Sequence, residues 1–205
     1  MKKLLLFVAL FTICLTGYSQ GLALGIRAGV NNGNLTTKIP NIVQGPVNNG
    51  FTLGAFGRAS ILGFFVQPEI NFSQRIGEFQ QVGVGKYTNT INTIDINALV
   101  GLSVLGLVRV NVGPTMMNFI STSQKADASM KDINYGNDFY NSAAFGFQIG
   151  AGVDLGKLCI DLRYDHNVTS LGKSEVYSNR FGHLTNYSTG FGMFQFTLGY
   201  KIIKI

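Results

Sequence analysis

Apolar and polar residues alternate one by one along most of this chain. A strand turns successive side chains to opposite faces, so such alternation predicts strands with one apolar face each. In the first run Leu22, Leu24, Ile26, Ala28 and Val30 face Ala23, Gly25, Arg27 and Gly29. In the second Phe51, Leu53, Ala55 and Ala59 oppose Thr52, Gly54 and Arg58, and Phe56 breaks the rule. Further runs set Phe64–Phe72 against Phe65, Gln67, Glu69 and Asn71, and Ile94–Val100 against Asp95, Asn97 and Leu99. Val108–Met116 carries Arg109, Asn111, Gly113 and Thr115 on its second face, and Phe145–Val153 carries Gly146, Gln148, Gly150 and Gly152, with Asp154 next. The seventh run, "LCIDLRYDHN" from Leu158, places Cys159, Asp161, Arg163 and Asp165 opposite Leu158, Ile160, Leu162 and Tyr164. The eighth sets Phe194, Phe196, Leu198, Tyr200 and Ile202 against Gln195, Thr197, Gly199 and Lys201. Eight runs make an even number, and most have the roughly 9–11 residues that cross a bilayer at a tilt.

The connections alternate too. Ser60–Gly63, Leu102–Gly106 and Leu155–Lys157 are short, whereas Asn32–Asn49, Ser73–Lys86, Ser121–Asn141 and Asn167–Asn186 are long and polar. Short turns at one end and long loops at the other are the organisation of bacterial outer-membrane barrels. The sequence therefore predicts an all-β fold: an eight-stranded antiparallel up-and-down transmembrane β-barrel with short periplasmic turns and long extracellular loops. Both termini are expected to face the periplasm.

Composition sharpens the choice between this and a soluble β protein. Charged residues make up 13% of the chain, about half the usual share of roughly 25%. A bilayer satisfies no backbone groups, so strands cross it only as a closed barrel with an apolar outer wall. On this reading the charged faces point inward. Arg27, Arg58, Arg109 and Arg163 then meet Glu69, Asp95, Asp154 and Asp161 in one lumen. Eight strands enclose only enough space for side chains to fill. Charges there must be paired and hydrogen-bonded, and the planar fork of arginine suits bidentate binding of carboxylates. Gly25, Gly54, Gly113, Gly150 and Gly152 would leave room for long side chains. The expected lumen is a plugged, charge-paired network that packs and registers the barrel. A gated ion path and a binding pocket are the functional alternatives. A soluble exported barrel or sandwich would bury the apolar face instead.

The first residues, MKKLLLFVALFTICLTGYSQ, have the pattern of a cleaved secretory leader: Lys2 and Lys3, an apolar stretch from Leu4 to Leu15, then small Gly17 and Ser19. Residues 1–19 are read as the signal peptide and 20–205 as one barrel domain. Cys14 lies inside the apolar stretch after Ile13, which disfavours a lipoprotein site. Loss of Lys2 and Lys3 lowers the formal net charge from +6 to +4. The remaining lysines are scattered, so nucleic acid is not an expected partner. Cys159 would be the single cysteine left, which rules out a disulfide within the mature chain. Lys38, Lys86, Lys125, Lys131, Lys173 and Arg180 fall in or beside the long loops, where lipopolysaccharide phosphates would meet them. Phe51, Phe64, Phe72, Phe119, Tyr164, Phe191 and Tyr200 are candidates for interfacial girdles.

"VQPEINFSQRIG" (66–77), "IDINALVGLSV" (94–104), "VRVNVGPTM" (108–116), "IDLRYDHNVTSLG" (160–172) and "FQFTLGYKI" (194–202) follow one another in a familiar order. In these segments, across essentially the whole mature chain, the sequence resembles the PorT-like outer-membrane β-barrel family of Bacteroidota-type Gram-negative bacteria. The resemblance implies an outer-membrane location and envelope-assembly or secretion-complex proteins as partners, beside outer-membrane lipid and lipopolysaccharide. Asn97 and Ala98 depart from the Ile-Pro often found in the family, and "GYKIIKI" carries its aromatic, Tyr200, inside the last strand.

Few residues suggest chemistry. Some eight-stranded outer-membrane barrels modify lipids with His, Ser and an acid, and Asp165, His166, Ser170, His183 and Ser188 offer those residue types. A triad is recognised by geometry and not by order, so the spacing does not select it. Zinc spacings, phosphate loops and nucleotide fingerprints are absent, and no cofactor is expected. The sequence favours a non-enzymatic barrel, with a lipid-modifying enzyme as the alternative.

Overall fold

The computed structural model describes residues 21–37, 42–45, 48–81, 85–126, 141–170, 175–178, 182–185 and 189–205. The signal peptide expected over residues 1–19 lies outside them. In chain order the strands are β1 (Gly21–Thr37), β2 (Ile42–Gln44), β3 (Asn48–Ile61), β4 (Phe64–Gln81), β5 (Gly85–Val104) and β6 (Val108–Ala126). They continue as β7 (Ala143–Leu155), β8 (Leu158–Asn167), β9 (Glu175–Ser178), β10 (Gly182–Thr185) and β11 (Thr189–Lys204). Eight of them form a closed antiparallel ring in the order β4-β3-β1-β11-β8-β7-β6-β5, with β5 pairing back onto β4. The short β2 adds to the end of β4, and β9 pairs with β10 in a separate hairpin.

The ring inverts the burial of a soluble domain. Leu162 is 55% exposed, while Arg163, the next residue, is 1% exposed. The same alternation runs through the strands: Leu53, Val66, Val100, Val110, Ile149 and Phe196 face outward and are exposed. Their polar neighbours point into the lumen. The belt has an upper edge on β1, β3, β4 and β5, where outward positions turn polar at matching registers. Val30 pairs with Phe51 and Phe72 with Ile94; one step further out Asn32 pairs with Asn49 and Gln74 with Asn92. Side chains join in this polar ring: Asn32 donates to Asn49 at 2.6 Å, Gln74 to Asn92 at 3.3 Å, and Asn92 to Ser121 at 3.1 Å.

At the opposite end the turns are tight. Leu62 (φ 49°) and Gly63 (φ 86°) join β3 to β4, which is the pair of positive φ values that two-residue hairpins of right-handed twist require. Leu105 (φ 54°) and Gly106 (φ 66°) repeat the device between β5 and β6, and Gly156 (φ 63°) opens the turn between β7 and β8. Two bulges interrupt the ladders. Ile202 is the extra residue in β11 opposite Leu24 and Gly25, and Ile120 is the extra residue in β6 opposite Asn92 and Thr93.

Strands enter two of the expected loops, β1 to Thr37 in Asn32–Asn49 and β6 to Ala126 in Ser121–Asn141, and three further expectations need correction. Most of Ser73–Lys86 is not a loop: β4 runs to Gln81 and β5 starts at Gly85, in unbroken register from Gln74↔Asn92 to Gln81↔Gly85. Polar side chains outside the lipid belt do not end a strand whose backbone is still paired. Phe56 is no exception to the alternation, since it is buried on the lumen face with Thr52 and Arg58. Phe191 does not join a girdle, being 1% exposed inside the ring.

Candidate functional site: the charged lumen

All eight charged residues expected inside the barrel are buried there, and the fold stacks them in three tiers. Parity within each strand turns a side chain inward, and its distance along the strand sets its tier.

The middle tier is built on Glu69 of β4. Its carboxylate accepts from Arg27 Nη1 at 2.5 Å and from Arg163 Nη1 at 3.0 Å to each oxygen. Gln67 Nε2 at 2.6 Å, Asn97 Nδ2 at 3.2 Å and Asn71 Nδ2 at 3.3 Å complete the shell. Arg27 also donates to Gln195 at 2.8 Å and Thr197 at 2.9 Å, and Arg163 donates to Gln148 at 3.1 Å. A buried carboxylate with two guanidiniums and three amides around it is the kind of arrangement that offsets the cost of desolvation.

The periplasmic tier centres on Asp154 of β7. It pairs with Arg58 Nη1 at 2.7 Å, Arg109 Nε at 2.8 Å and Lys201 Nζ at 2.8 Å. Asp161 lies 3.1 Å from Arg109 Nη2 and 3.6 Å from Arg163 Nη2, which links this tier to the middle one. The Arg58 guanidinium sits 5.5 Å from the Phe56 ring and 5.2 Å from the Phe65 ring, within cation–π range of both. Below it a vestibule of about 290 Å³ opens between the turns, lined by Arg58, Arg109, Asp154, Lys201, Lys204 and Ser103 among others.

The extracellular tier holds Asp95 together with two residues the sequence reading left out of the network, Arg75 and Asp165. Arg75 Nη2 binds Asp95 at 2.8 Å and Asp165 at 3.0 Å, and its Nη1 donates to Thr93 at 2.6 Å. The ring of Phe191 lies 4.5 Å from its guanidinium carbon. Around and beyond Arg75 apolar side chains enter the lumen beside the buried Asn89 and Asn167. Ile91 opposes Arg75, Met117 opposes Asp95, Met193 opposes Asp165, and all three are buried, as are Phe191 and Phe79 further out.

Arg75 was legible by parity, since it continues the inward series Gln67, Glu69, Asn71, Ser73. The assumed loop hid it. Asp165 continues Cys159, Asp161 and Arg163 in the same way, and Lys201 stands on the polar face of β11. The glycines contribute as expected at two places. A Cβ at Gly150 would stand 2.5 Å from Arg163 Cγ, and one at Gly152 would stand 2.9 Å from Arg109 Nη2. At Gly25 the space is taken by Phe56 instead, whose Cζ would lie 2.5 Å from a Cβ there.

The catalytic arrangement conceivable on paper does not assemble from Asp165 and His166. Consecutive strand residues face opposite ways, so Asp165 points inward to Arg75, while His166 is exposed outside, 5.6 Å from the Phe147 ring and 6.2 Å from Tyr164. Ser188 and the side chain of His183 lie outside the described residues. Among the described residues no three of His, Cys, Asp or Glu converge to hold a metal ion. Of the loop cations, Lys86 and Lys125 are exposed, with Glu78 3.8 Å from Lys86. Lys38, Lys131, Lys173 and Arg180 lie outside the described residues.

A family model described as outer membrane protein beta-barrel domain matches residues 18–172. No curated protein matches the chain by sequence. Among solved structures, Neisserial surface protein A is 12% identical with a TM-score of 0.53, over 89% of this chain and 100% of that one. The outer membrane protein OprG from Pseudomonas aeruginosa is 10% identical with a TM-score of 0.46, over 92% of this chain and 98% of that one. At such identities the likeness is one of fold.

Proposed function

Because this chain belongs to the outer membrane protein beta-barrel domain family, and is thus an outer-membrane β-barrel protein, we propose that it is a non-enzymatic barrel with a closed lumen. It works as a structural element of the envelope or as a binding and assembly partner there. The observation that carries this reading is the filling of the lumen. Three tiers of buried ion pairs span it, and Phe191, Ile91 and Phe79 cover Arg75 on the extracellular side. An ion passing through would have to break paired charges in a space without bulk water, which is strongly unfavourable. The test is electrical recording from the refolded protein in planar bilayers. The expected record is flat, and reproducible single-channel steps from the wild type would overturn the closed-lumen reading.

The finer assignment, a PorT-like protein with secretion-related partners, rests on the sequence resemblance. Asn97, one of the departures from that pattern, donates to Glu69 and so belongs to this chain's own lumen network. Partners would be met above the lipid belt, where β4, β5 and β6 continue past the polar ring. The exposure of Lys86 and Lys125 on this extension supports lipopolysaccharide phosphates as a partner. In-cell cross-linking from Thr90, on the outer face of β5, tests the partner reading: envelope-complex proteins support it, and capture of lipid alone counts against it. Replacing both His166 and His183 with alanine should leave lipid A unchanged; an altered lipid A would revive the enzymatic alternative.

A further inference from the structure

The periplasmic tier carries more positive charge than its own pairs neutralise. Arg58, Arg109, Lys201 and Lys204 surround the vestibule, and the carboxylates they meet are Asp154, on its wall, and Asp161, behind Arg109. Counting those six groups leaves a formal excess of two positive charges. Two of the cations have unused donors. Arg58 donates Nε to Gln67 and Nη1 to Asp154, whereas Arg109 stands at ion-pair distance from Asp154 (2.8 Å) and Asp161 (3.1 Å) without a hydrogen bond to either. Arg58 Nη2 and all three Arg109 guanidinium nitrogens have no hydrogen-bond partner among the described residues, although Arg58 is 5% and Arg109 0% exposed. A buried guanidinium nitrogen left without an acceptor is costly. The Phe56 and Phe65 rings lie 5.5 and 5.2 Å from the Arg58 guanidinium carbon.

We infer that this vestibule, lined by Arg58, Arg109, Lys201 and Lys204, is a periplasm-facing binding site for a compact phosphate-class dianion. The chemistry fits on three counts. Guanidinium forks match tetrahedral oxyanions, a dianion would neutralise the excess of two, and about 290 Å³ falls just under the ~300–1,000 Å³ typical of pockets for larger ligands. Among the described residues the far end of the lumen instead groups one arginine, Arg75, with two aspartates, Asp95 and Asp165. This inference goes beyond the closed-lumen reading and does not depend on it, because the four cations line the periplasmic mouth whether or not the lumen above it conducts.

The test uses the refolded full barrel in a phosphate-free detergent, with folding verified by its mobility shift on heating. Inorganic phosphate and glycerol 3-phosphate are titrated calorimetrically at low ionic strength, with sodium chloride as the comparison. The expected result is saturable phosphate binding with a Kd of about 1 mM or tighter, absent for chloride. Arg58→Gln should weaken it by roughly ten- to a hundredfold, the range of a hydrogen bond to a charged group. Should Arg58→Gln not fold, the double variant Lys201→Gln/Lys204→Gln decides, because Asp154 keeps Arg58 and Arg109 as partners; its binding should weaken at least several-fold. Binding of both anions assigns the site to phosphate monoester ends, and binding of inorganic phosphate alone assigns it to the free ion. Lack of saturable binding by the wild type, or binding unchanged in the variants that fold, would overturn the inference. Conductance is recorded separately, so failure here leaves the closed-lumen reading standing.

Discussion

Arg163 and Glu69 stand on diametrically opposite strands of the ring and meet at its centre, with Arg163 Nη1 3.0 Å from both carboxylate oxygens. Each tier contains one such bond across the full diameter. Arg75 of β4 reaches Asp165 of β8 above it, and Arg58 of β3 reaches Asp154 of β7 below it. Backbone ladders hold each strand to its neighbours; these bonds hold opposite walls to each other. They are made only when the ring is closed in the correct order.

Arg163→Ala should therefore destabilise the barrel without making it conduct. It removes one of two cations on a fully buried Glu69, and breaking one partner of such a pair costs about 3–5 kcal/mol. Urea unfolding in detergent should show the loss, and the double variant Arg163→Met/Glu69→Gln should regain part of it. A wild-type unfolding midpoint for Arg163→Ala would mean that the central bond contributes nothing to stability.

Gly150→Ala tests the same bond from the facing strand. Its Cβ would lie 2.5 Å from Arg163 Cγ and 2.9 Å from the Leu162 carbonyl oxygen, so either the arginine stem or the β7–β8 ladder must move. Overpacking of this kind costs about 1–3 kcal/mol. The temperature at which the folded band disappears on unboiled gels should fall.

The edge of the lipid belt can be located by a pair of lysines. Leu162→Lys, in the outward face between Ile160 and Tyr164, should cost about 2–4 kcal/mol in a bilayer if it lies near the midplane. Thr90→Lys, outward on β5 but beyond the polar ring, should cost about 0–1 kcal/mol. Equal losses at both positions, measured by unfolding from lipid vesicles, would contradict the boundary drawn through Asn32, Gln74 and Asn92.

Leu62 adopts φ 49° and is 77% exposed in the β3–β4 turn. A leucine in this conformation carries strain of about 1–2 kcal/mol that asparagine largely avoids. Leu62→Asn, giving Asn-Gly at the two central turn positions, should stabilise the barrel by about 1 kcal/mol. An unchanged or lower unfolding midpoint in detergent would show that the leucine side chain compensates through contacts of its own.

Local alternation made most of the wall legible. Leu158–Asn167 could be read residue by residue, because period two fixes which face a strand residue occupies whatever its neighbours are. The tight turns were equally readable from Gly63, Gly106 and Gly156. Strand length was not. From the sequence Arg75 reads as part of a loop because its surroundings are polar, but a paired backbone continues past the lipid belt, where outward positions no longer need to be apolar.

The sequence by itself determined the parity of each strand, the order of hairpins and the set of charges that cannot face lipid. It could not say which charges meet, since Arg163 and Glu69 are 94 residues apart and no spacing rule connects them. Ring closure decided that. Placing β8 across from β4, and sliding each strand to its register, brought Arg163 to Glu69, Arg75 to Asp95 and Asp165, and four cations to a vestibule with one carboxylate, Asp154, on its wall. Faces follow from the local geometry of the chain, whereas contacts across a lumen exist only after every strand has found its neighbours.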